Sequence, residues 1–284
     1  MCIRDSNCTY CAIPSIRGKY RSRRMEDIVK EARWLAENGV TELVVVAQDT
    51  TRYGEDIYGK SMLPELLTAL CEIDGFKWIR TLYCYPERIT DELLDVIAKE
   101  DKLVKYLDMP IQHCNKTILK RMNRHGDRET LTALIKKIRE KIPNVTLRTT
   151  LITGFPGETE EQFEELCEFV KEIRFERLGC FAYSPEEGTP AEKFEDQVPL
   201  KDRERRAEII MEEQMIISDS FNEAALDSEV EVVCEGFDRY AECYYGRSQA
   251  DAPEIDGKIF FLSEDKVRVG EYVKVKIDDT MDYD

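Results

Sequence analysis

Cys8-Thr9-Tyr10-Cys11 is the first group in the chain whose residue types and spacing can do chemistry. Two thiols in C-x-x-C spacing suit half of a zinc site, a redox dithiol, or part of an iron-sulfur cluster site. Structural zinc needs four closed ligands, normally two such pairs, and no second C-x-x-C occurs among the ten cysteines. A redox dithiol sits at a helix start after a strand, whereas the residues after Cys11 read as a long loop through Pro14 and Gly18. A cluster remains, in which three cysteines leave one iron open to a substrate or cofactor. Spacing by itself does not separate that reading from a chance pair.

A second segment, Thr153-Gly154-Phe155-Pro156-Gly157-Glu158-Thr159, ends a strand and opens a helix. Its glycines permit close backbone approach, and Thr159 with Gln162 has capping-box spacing. No Gly-Lys-Ser/Thr follows, so it is not a P-loop; it is either a tight βα turn or a ligand loop. Gln48-Asp49 and Asp108-Met109-Pro110-Ile111-Gln112-His113 also follow strands and place polar groups on the same sheet edge. His113 reads as a base or as a hydrogen-bonded structural residue, and His125, in Arg124-His125-Gly126, as a helix end. Arg148 lies mid-strand, and an inward charge there needs either a ligand carboxylate or a core Asp or Glu.

The elements that must position these residues follow from periodicity. Apolar residues at helical spacing predict helices over 25–38, 63–72, 92–100, 117–123, 129–141 and 160–173. Between them, short apolar runs predict strands at 43–47, 78–83, 106–109, 146–152 and 178–183; the run at Leu43–Ala47, mostly Val, suits a strand buried on both faces. Alternating strands and helices imply a parallel sheet, and five strands are too few for a complete eight-stranded barrel, so the expected fold is an α/β partial barrel. After a long charged helix over 200–225, alternation at Val273, Val275 and Ile277, with strands at 229–233 and 258–262, predicts a small antiparallel β-barrel. The expected division is 1–226 and 227–284.

Composition bounds the function. A net charge of −17 argues against a protein that coats nucleic acid, since phosphate binding needs clustered Lys and Arg. The one dense basic run, Arg17, Lys19, Arg21, Arg23 and Arg24, reads as a solvated loop or as a local phosphate or carboxylate contact. Cys71, Cys167 and Cys180 lie in apolar periodic stretches and read as small buried hydrophobes. No apolar run approaches the roughly 20 residues of a membrane span, and residues 1–6 contain no apolar h-region, so the expected compartment is the cytoplasm.

Five segments resemble the radical S-adenosylmethionine (SAM) methylthiotransferases: Cys8 to Pro14, Gln48-Asp49-Thr50-Thr51, Leu107 to His113, Thr149 to Glu158, and Tyr183-Ser184-Pro185-Glu186-Glu187-Gly188-Thr189. The C-terminal part resembles a TRAM domain. Within it, Gly246-Arg247 followed by Asp251 to Gly257 resembles the branch that modifies an aspartate of small-subunit ribosomal protein twelve rather than the branch that modifies a tRNA adenosine.

The resemblance implies a 4Fe-4S cluster that cleaves SAM to a 5′-deoxyadenosyl radical, which takes a hydrogen from the β-carbon of the target aspartate. Sulfur and a methyl group then complete the product, and the electron comes from a donor such as flavodoxin or ferredoxin. Cys8 and Cys11 are the implied cluster ligands, Tyr10 the residue near the SAM adenine, and Gln48, Gln112, Arg148 and Gly154 residues of the SAM or substrate cleft. The family loop, C-x-x-x-C-x-x-C, puts its first cysteine where Arg4 stands, which leaves Cys2 as the implied third ligand in C-x5-C-x2-C spacing. The family also carries an upstream domain with a second 4Fe-4S cluster and a first barrel strand, so the chain reads as a fragment that lacks both and whose last TRAM strand is cut short. A tRNA-modifying enzyme, or a silent fragment that only binds its protein substrate, are the alternatives. Complementary charge favours a basic ribosomal protein over tRNA as partner.

Overall fold

The computed structural model describes residues 8–281. In chain order the first part contains helix α1 (Ile13–Arg17), α2 (Met25–Glu37), strand β1 (Glu42–Val45), α3 (Glu55–Tyr58), α4 (Leu63–Cys71), β2 (Trp78–Thr81), α5 (Asp91–Lys99), β3 (Tyr106–Asp108), α6 (Lys116–Arg121), α7 (Arg128–Lys141), β4 (Thr146–Thr153), α8 (Glu160–Ile173), β5 (Arg177–Ala182) and α9 (Leu200–Ala225). Every strand pairing here is parallel: β1 with β2, and β3 with β4 with β5. A parallel bridge from Ile79 to Leu103 and a bond from Cys84 N–H to Asp108 O (2.9 Å) link the two groups in sequence order. The predicted parallel strands and intervening helices are therefore present.

Caps fix the helix starts that position the site. Thr159 accepts from Gln162 N–H while the Gln162 side chain accepts from Thr159 N–H, the capping box expected there; Asp127 and Thr130 make the same exchange on α7. Asn115 caps α6 by accepting from Thr117 N–H (2.9 Å). One apolar core unites the inner faces of α4, α5, α7 and α8 with Ile79, Leu107, Leu147 and Leu151. β2 and β3 are buried at every residue, as central parallel strands must be.

Three local features differ from expectation. β1 is only half-buried throughout, because among the described residues it pairs with β2 alone, and Val46 beyond it is 61% exposed. The segment after Cys11 is not a long loop: Pro14 in the first turn pre-sets a helical φ, and a short helix runs until Gly18 ends it with φ +77°. The strand at Cys243–Arg247 escapes prediction because Gly246 and Arg247 break its alternation.

Beyond α9 the pairing becomes antiparallel. Strands β6 (Glu229–Asp238), β7 (Cys243–Arg247), β8 (Ile259–Phe261) and β9 (Tyr272–Lys276) are ordered β8-β7-β6-β9, with a bulge between Cys234 and Gly236. Val232, Cys234, Phe261 and Val267 form their core. Gly246 is required by close pairing, since a Cβ there would lie 2.1 Å from Val233 O.

Of the three cysteines read as packing residues Cys71 is buried and Cys167 and Cys180 are half-buried, and Cys84 is a fourth, fully buried thiol. Burial pushes the thiols of Cys71 and Cys167 up to about 11 and those of Cys84 and Cys180 to about 12. Thiolates, not thiols, react with alkylating agents. Native protein at pH 8 should therefore carry no iodoacetamide label on these four until it is denatured. Peptide mapping checks this, and rapid native labelling of Cys84, fully buried beside Thr50, would show that the region opens.

Candidate functional site

The cysteine loop is held at its second residue. Thr9 N–H donates to Met122 O (3.0 Å), Thr9 Oγ1 donates to Arg121 O (2.8 Å), and Thr9 O accepts from Ala191 N–H (2.9 Å). The first two acceptors are carbonyls at the C-terminal end of α6, free because a helix leaves its last carbonyls unpaired. Cys8 is buried and Cys11 half-buried, with Cys11 N–H closing the turn onto Cys8 O (3.1 Å).

Aromatic groups and one cation surround Cys8. Burial raises the Tyr10 and Tyr85 phenols well above their ordinary range, and the nearby Cys8 thiol adds to the shift. The Tyr10 ring meets Phe155 edge-on (6.3 Å), and Phe155 in turn meets Tyr183 (5.3 Å). The Arg124 guanidinium lies over the Tyr85 ring at 4.4 Å, and Arg124 Nη2 donates to Pro110 O (2.8 Å). Tyr85, Pro110, Phe155 and Tyr183 all follow the C-terminal ends of β2 to β5, so the loop sits at the edge where parallel sheets place their sites.

Two strained residues mark that edge. Tyr83, after β2, and Gln112, after β3, have φ of +58° and +70°, a region that side chains rarely adopt and that clusters at functional sites. The Gln112 backbone resumes pairing with β4, its N–H donating to Thr150 O (2.9 Å) and its carbonyl accepting from Ile152 N–H (2.8 Å). Gln48 is exposed after β1. The neighbouring Asp49 is 5% exposed; burial raises its carboxyl, Thr51 Oγ1 donates to Oδ1, and Oδ2 has no hydrogen-bond partner.

Gly154 lies at the same edge, but the close approach it permits is that of Arg203 on α9, whose Cα would be 2.9 Å from a Cβ placed there. Its N–H donates to both carboxylate oxygens of Glu158 (3.0 Å each), and Arg206 Nη1 donates to Glu158 Oε1 (2.7 Å). His113 is structural: its Nδ1 accepts from Asn115 N–H (2.9 Å), and Nε2 lies 3.4 Å from Glu158 Oε2. Gly154 has φ +66°, so Gly154→Ala combines a left-handed alanine with overpacking against α9. It should cost about 2–4 kcal/mol of stability, read from urea midpoints; a loss below about 1 kcal/mol would mean that α9 shifts freely.

Arg148 is at the opposite end. It is near the start of β4, where Nη1 donates to Asp108 Oδ1 (2.9 Å) and Nε lies 3.6 Å from Asp256 Oδ1. Its partners in the fold are core carboxylates, the alternative that its mid-strand position left open. Asp256 belongs to the 248–256 segment, which inserts against the strand starts: Asp256 Oδ2 accepts from Tyr106 Oη (2.6 Å), and Asp251 Oδ1 accepts from Arg177 Nη2 (2.7 Å). The basic run, by contrast, is solvated; all five residues are exposed, and Arg23 pairs with Glu31.

Sequence reasoning missed Thr9, Tyr85 and Arg124. Arg124 looked like part of a polar helix end, yet it is 6% exposed while its neighbour His125 is exposed. Two thiols on a loop pinned to α6, whose following residues carry the buried cation Arg124, fit a thiolate-ligated, anionic cluster. Cys2, the implied third ligand, lies outside the described residues, and among the described residues no group of three or more metal-binding side chains converges. Among them, too, no helix is long and apolar enough to cross a membrane.

Comparison with known proteins agrees with this geometry. The radical SAM superfamily model matches residues 2–170, and the TRAM domain model matches residues 228–284. Ribosomal protein uS12 methylthiotransferase RimO of Clostridium tetani is 51% identical over 99% of this chain and 63% of its own length. The protein of the same name from Lachnoclostridium phytofermentans is 52% identical over 99% of the chain and 64% of its own length. The chain thus spans a little under two thirds of these relatives. Coproporphyrinogen III oxidase (HemN) of Escherichia coli, a radical SAM enzyme, shares the fold with a TM-score of 0.52 at 22% identity, over 75% of this chain and 49% of that one.

Proposed function

The chain belongs to the radical SAM superfamily, and from that premise we propose that it carries the catalytic core of a methylthiotransferase acting on the β-carbon of an aspartate in ribosomal protein uS12. The reading rests on the pinned C-x-x-C loop beside a buried cation at the C-terminal edge of the sheet, joined to half-identity with two methylthiotransferases over 99% of the chain. When bound, a 4Fe-4S cluster supplies the electron that cleaves SAM and so generates the hydrogen-abstracting radical.

The protein's own residues bind, orient and shield. Cys8 and Cys11 would hold iron, with Cys2 as third ligand, while Thr9 fixes the loop to α6 and to the 3-10 turn at Ala191–Lys193. Tyr10, Phe155 and Tyr183 form an apolar wall that keeps water from the thiols. Gln48 and Gln112 flank the edge on which SAM and substrate would lie, with Gly154 behind them supporting the wall. Arg148 has its carboxylates already and serves the fold.

A net charge of −17 suits a basic protein target, and encounter should slow as salt rises. The test is anaerobic reconstitution followed by assay with SAM, dithionite or reduced flavodoxin, and uS12. Release of 5′-deoxyadenosine with a methylthio mass gain on the uS12 aspartate is expected. Modification of tRNA instead would move the protein to the adenosine-modifying branch. Iron uptake without SAM cleavage would leave it a binding protein only.

A further inference from the structure

The basic run that follows the cysteine loop has no part in the chemistry described so far. From Ile13 to Arg24 the chain carries five cations, Arg17, Lys19, Arg21, Arg23 and Arg24, and no acid, in a protein whose net charge is −17. All five are exposed. Arg23 pairs with Glu31, and no ion pair joins any of the other four to another described residue. The strip is also close to the thiols: α1 begins two residues after Cys11, and at 1.5 Å rise per residue Arg17 stands roughly 8 Å along the helix from Ala12.

The backbone beneath these cations is fixed. Gly18 N–H donates to Pro14 O (3.1 Å) where α1 ends, Ser22 N–H donates to Asp56 Oδ2 (2.8 Å), and Ser22 Oγ accepts from Gly54 N–H (3.0 Å). Tyr53 Oη donates to Arg23 O (3.0 Å), and Tyr58 Oη accepts from Met25 N–H (2.9 Å). Exposed apolar groups stand on the same surface. Ile16 precedes Arg17, Ile57 and Tyr58 line a groove with Arg24, and Trp34 lines a second groove with Arg23. The acids of these grooves, Glu26, Asp27 and Glu31, all lie on α2, which leaves Arg17, Lys19 and Arg21 as the end of the strip least offset by negative charge.

A basic protein such as the proposed substrate is repelled by this strip. A long polyanion would extend past it onto surface of the opposite balance. A small acidic protein can meet the strip alone, and arginines interleaved with exposed aromatic groups are the enriched composition of protein interfaces.

We infer that Arg17, Lys19 and Arg21, with Ile16 beside them, form the docking surface for the protein that supplies the cluster's electron, a small acidic protein carrying a low-potential flavin. Electron transfer weakens steeply with distance, so the donor must bind close to the thiols, and encounters of this class are small and steered by charge. One electron leaves the donor's anionic flavin hydroquinone, which becomes the neutral semiquinone, and that electron reduces the cluster; no proton moves and no bond breaks. The inference rests on the cluster reading above.

The probe is reduced flavodoxin, and the protein is reconstituted anaerobically. Unsubstituted protein is compared with a triple charge reversal, Arg17→Glu with Lys19→Glu and Arg21→Glu, and with the triple Gln variant of the same positions. Calorimetry gives the flavodoxin Kd at low salt, and a rate series gives the flavodoxin concentration that half-saturates 5′-deoxyadenosine release. Charge reversal should raise both about tenfold, the Gln variant should fall between, and the parent's affinity should drop as salt rises. Iron content and the release driven by dithionite, which needs no docking, should be unchanged in both variants, a split that a purely structural role would not produce. Should the reversed variant fail to fold, the Gln variant decides by the same comparison. Flavodoxin affinity and half-saturation equal to the parent's overturn the inference alone, and so does a variant that keeps them but loses binding to tRNA, which would make the strip a nucleic-acid contact. No dithionite-driven 5′-deoxyadenosine from the unsubstituted protein overturns the cluster reading and this inference with it.

Discussion

Cys8→Ser and Cys11→Ser are each expected to abolish stable cluster binding while leaving the protein folded. Serine is nearly isosteric with cysteine, so it fits the buried Cys8 position without a steric clash. It is a hard, weakly acidic ligand, so it cannot replace a thiolate on iron at neutral pH. Thr9 still anchors the loop through its three bonds, so the circular dichroism spectrum and urea midpoint should stay within about 1 kcal/mol of the parent. Iron and sulfide analysis after anaerobic reconstitution should show loss of the cluster in both variants, and release of 5′-deoxyadenosine should fall to background. A variant with full iron content and undiminished SAM cleavage would remove these two thiols from the ligand set. Cys71→Ser is the matched control, since that buried cysteine ends α4 in the apolar core and should keep its cluster.

The largest effect on stability is expected at the other end of the sheet, from Glu42→Ala. Glu42 begins β1, and its carboxylate lies between two arginines: Arg80 Nε at 3.2 Å and Arg247 Nη2 at 2.7 Å. The Arg80 side chain is fully buried, that of Arg247 is 6% exposed, and that of Glu42 is 10% exposed. Arg80 has no other carboxylate among its ion pairs; it stacks over Tyr106 at 4.7 Å and donates to Gln249 O (2.9 Å). Arg247 would keep Glu235 (2.6 Å) and the Asp251 carbonyl (3.1 Å). Removing the shared anion strands a buried charge and cuts the contact between β1 and β7, for an expected loss of about 3–5 kcal/mol. For a chain of this size that corresponds to a melting point lower by roughly 6–20 °C. Calorimetry and urea titration check it. A loss under about 1 kcal/mol would show that water enters and solvates Arg80. Glu42→Gln, which keeps the volume but not the charge, should fall between the two.

The same end of the molecule shows where a signature read from sequence changes meaning. Asp251 to Gly257 looked like a mark of substrate branch. In the fold, Asp251 and Asp256 neutralise Arg177, Arg148 and the Tyr106 hydroxyl at the strand starts. That segment packs against the first residues of β3, β4 and β5. A motif can track a family faithfully through its packing as well as through its contacts with substrate.

Much of the parallel sheet was legible because its signals are local. The apolar runs of β2 to β5 and the 3.6-residue spacing of α4, α5, α7 and α8 follow from burial of one face or both. The capping box of Thr159 and Gln162 is set by residues three apart and folds as read. The C-x-x-C turn was legible for the same reason, although spacing alone did not say what its thiols hold. β7 was not, since Gly246 is dictated by the approach of Val233 from another strand.

Side-chain partnership was beyond the sequence. Arg124, Arg148 and Arg23 are chemically alike in the sequence, yet one is buried over a tyrosine ring, one sits in a carboxylate cluster and one is exposed. Residue type and spacing determined that this chain alternates strands and helices around a cysteine loop, because local propensity and periodic burial act over a few residues. Only the tertiary structure decided which charges face the thiols and which lock the far end. Those energies depend on groups brought together across long separations, 205 positions for Glu42 and Arg247, and on how completely the fold excludes water between them.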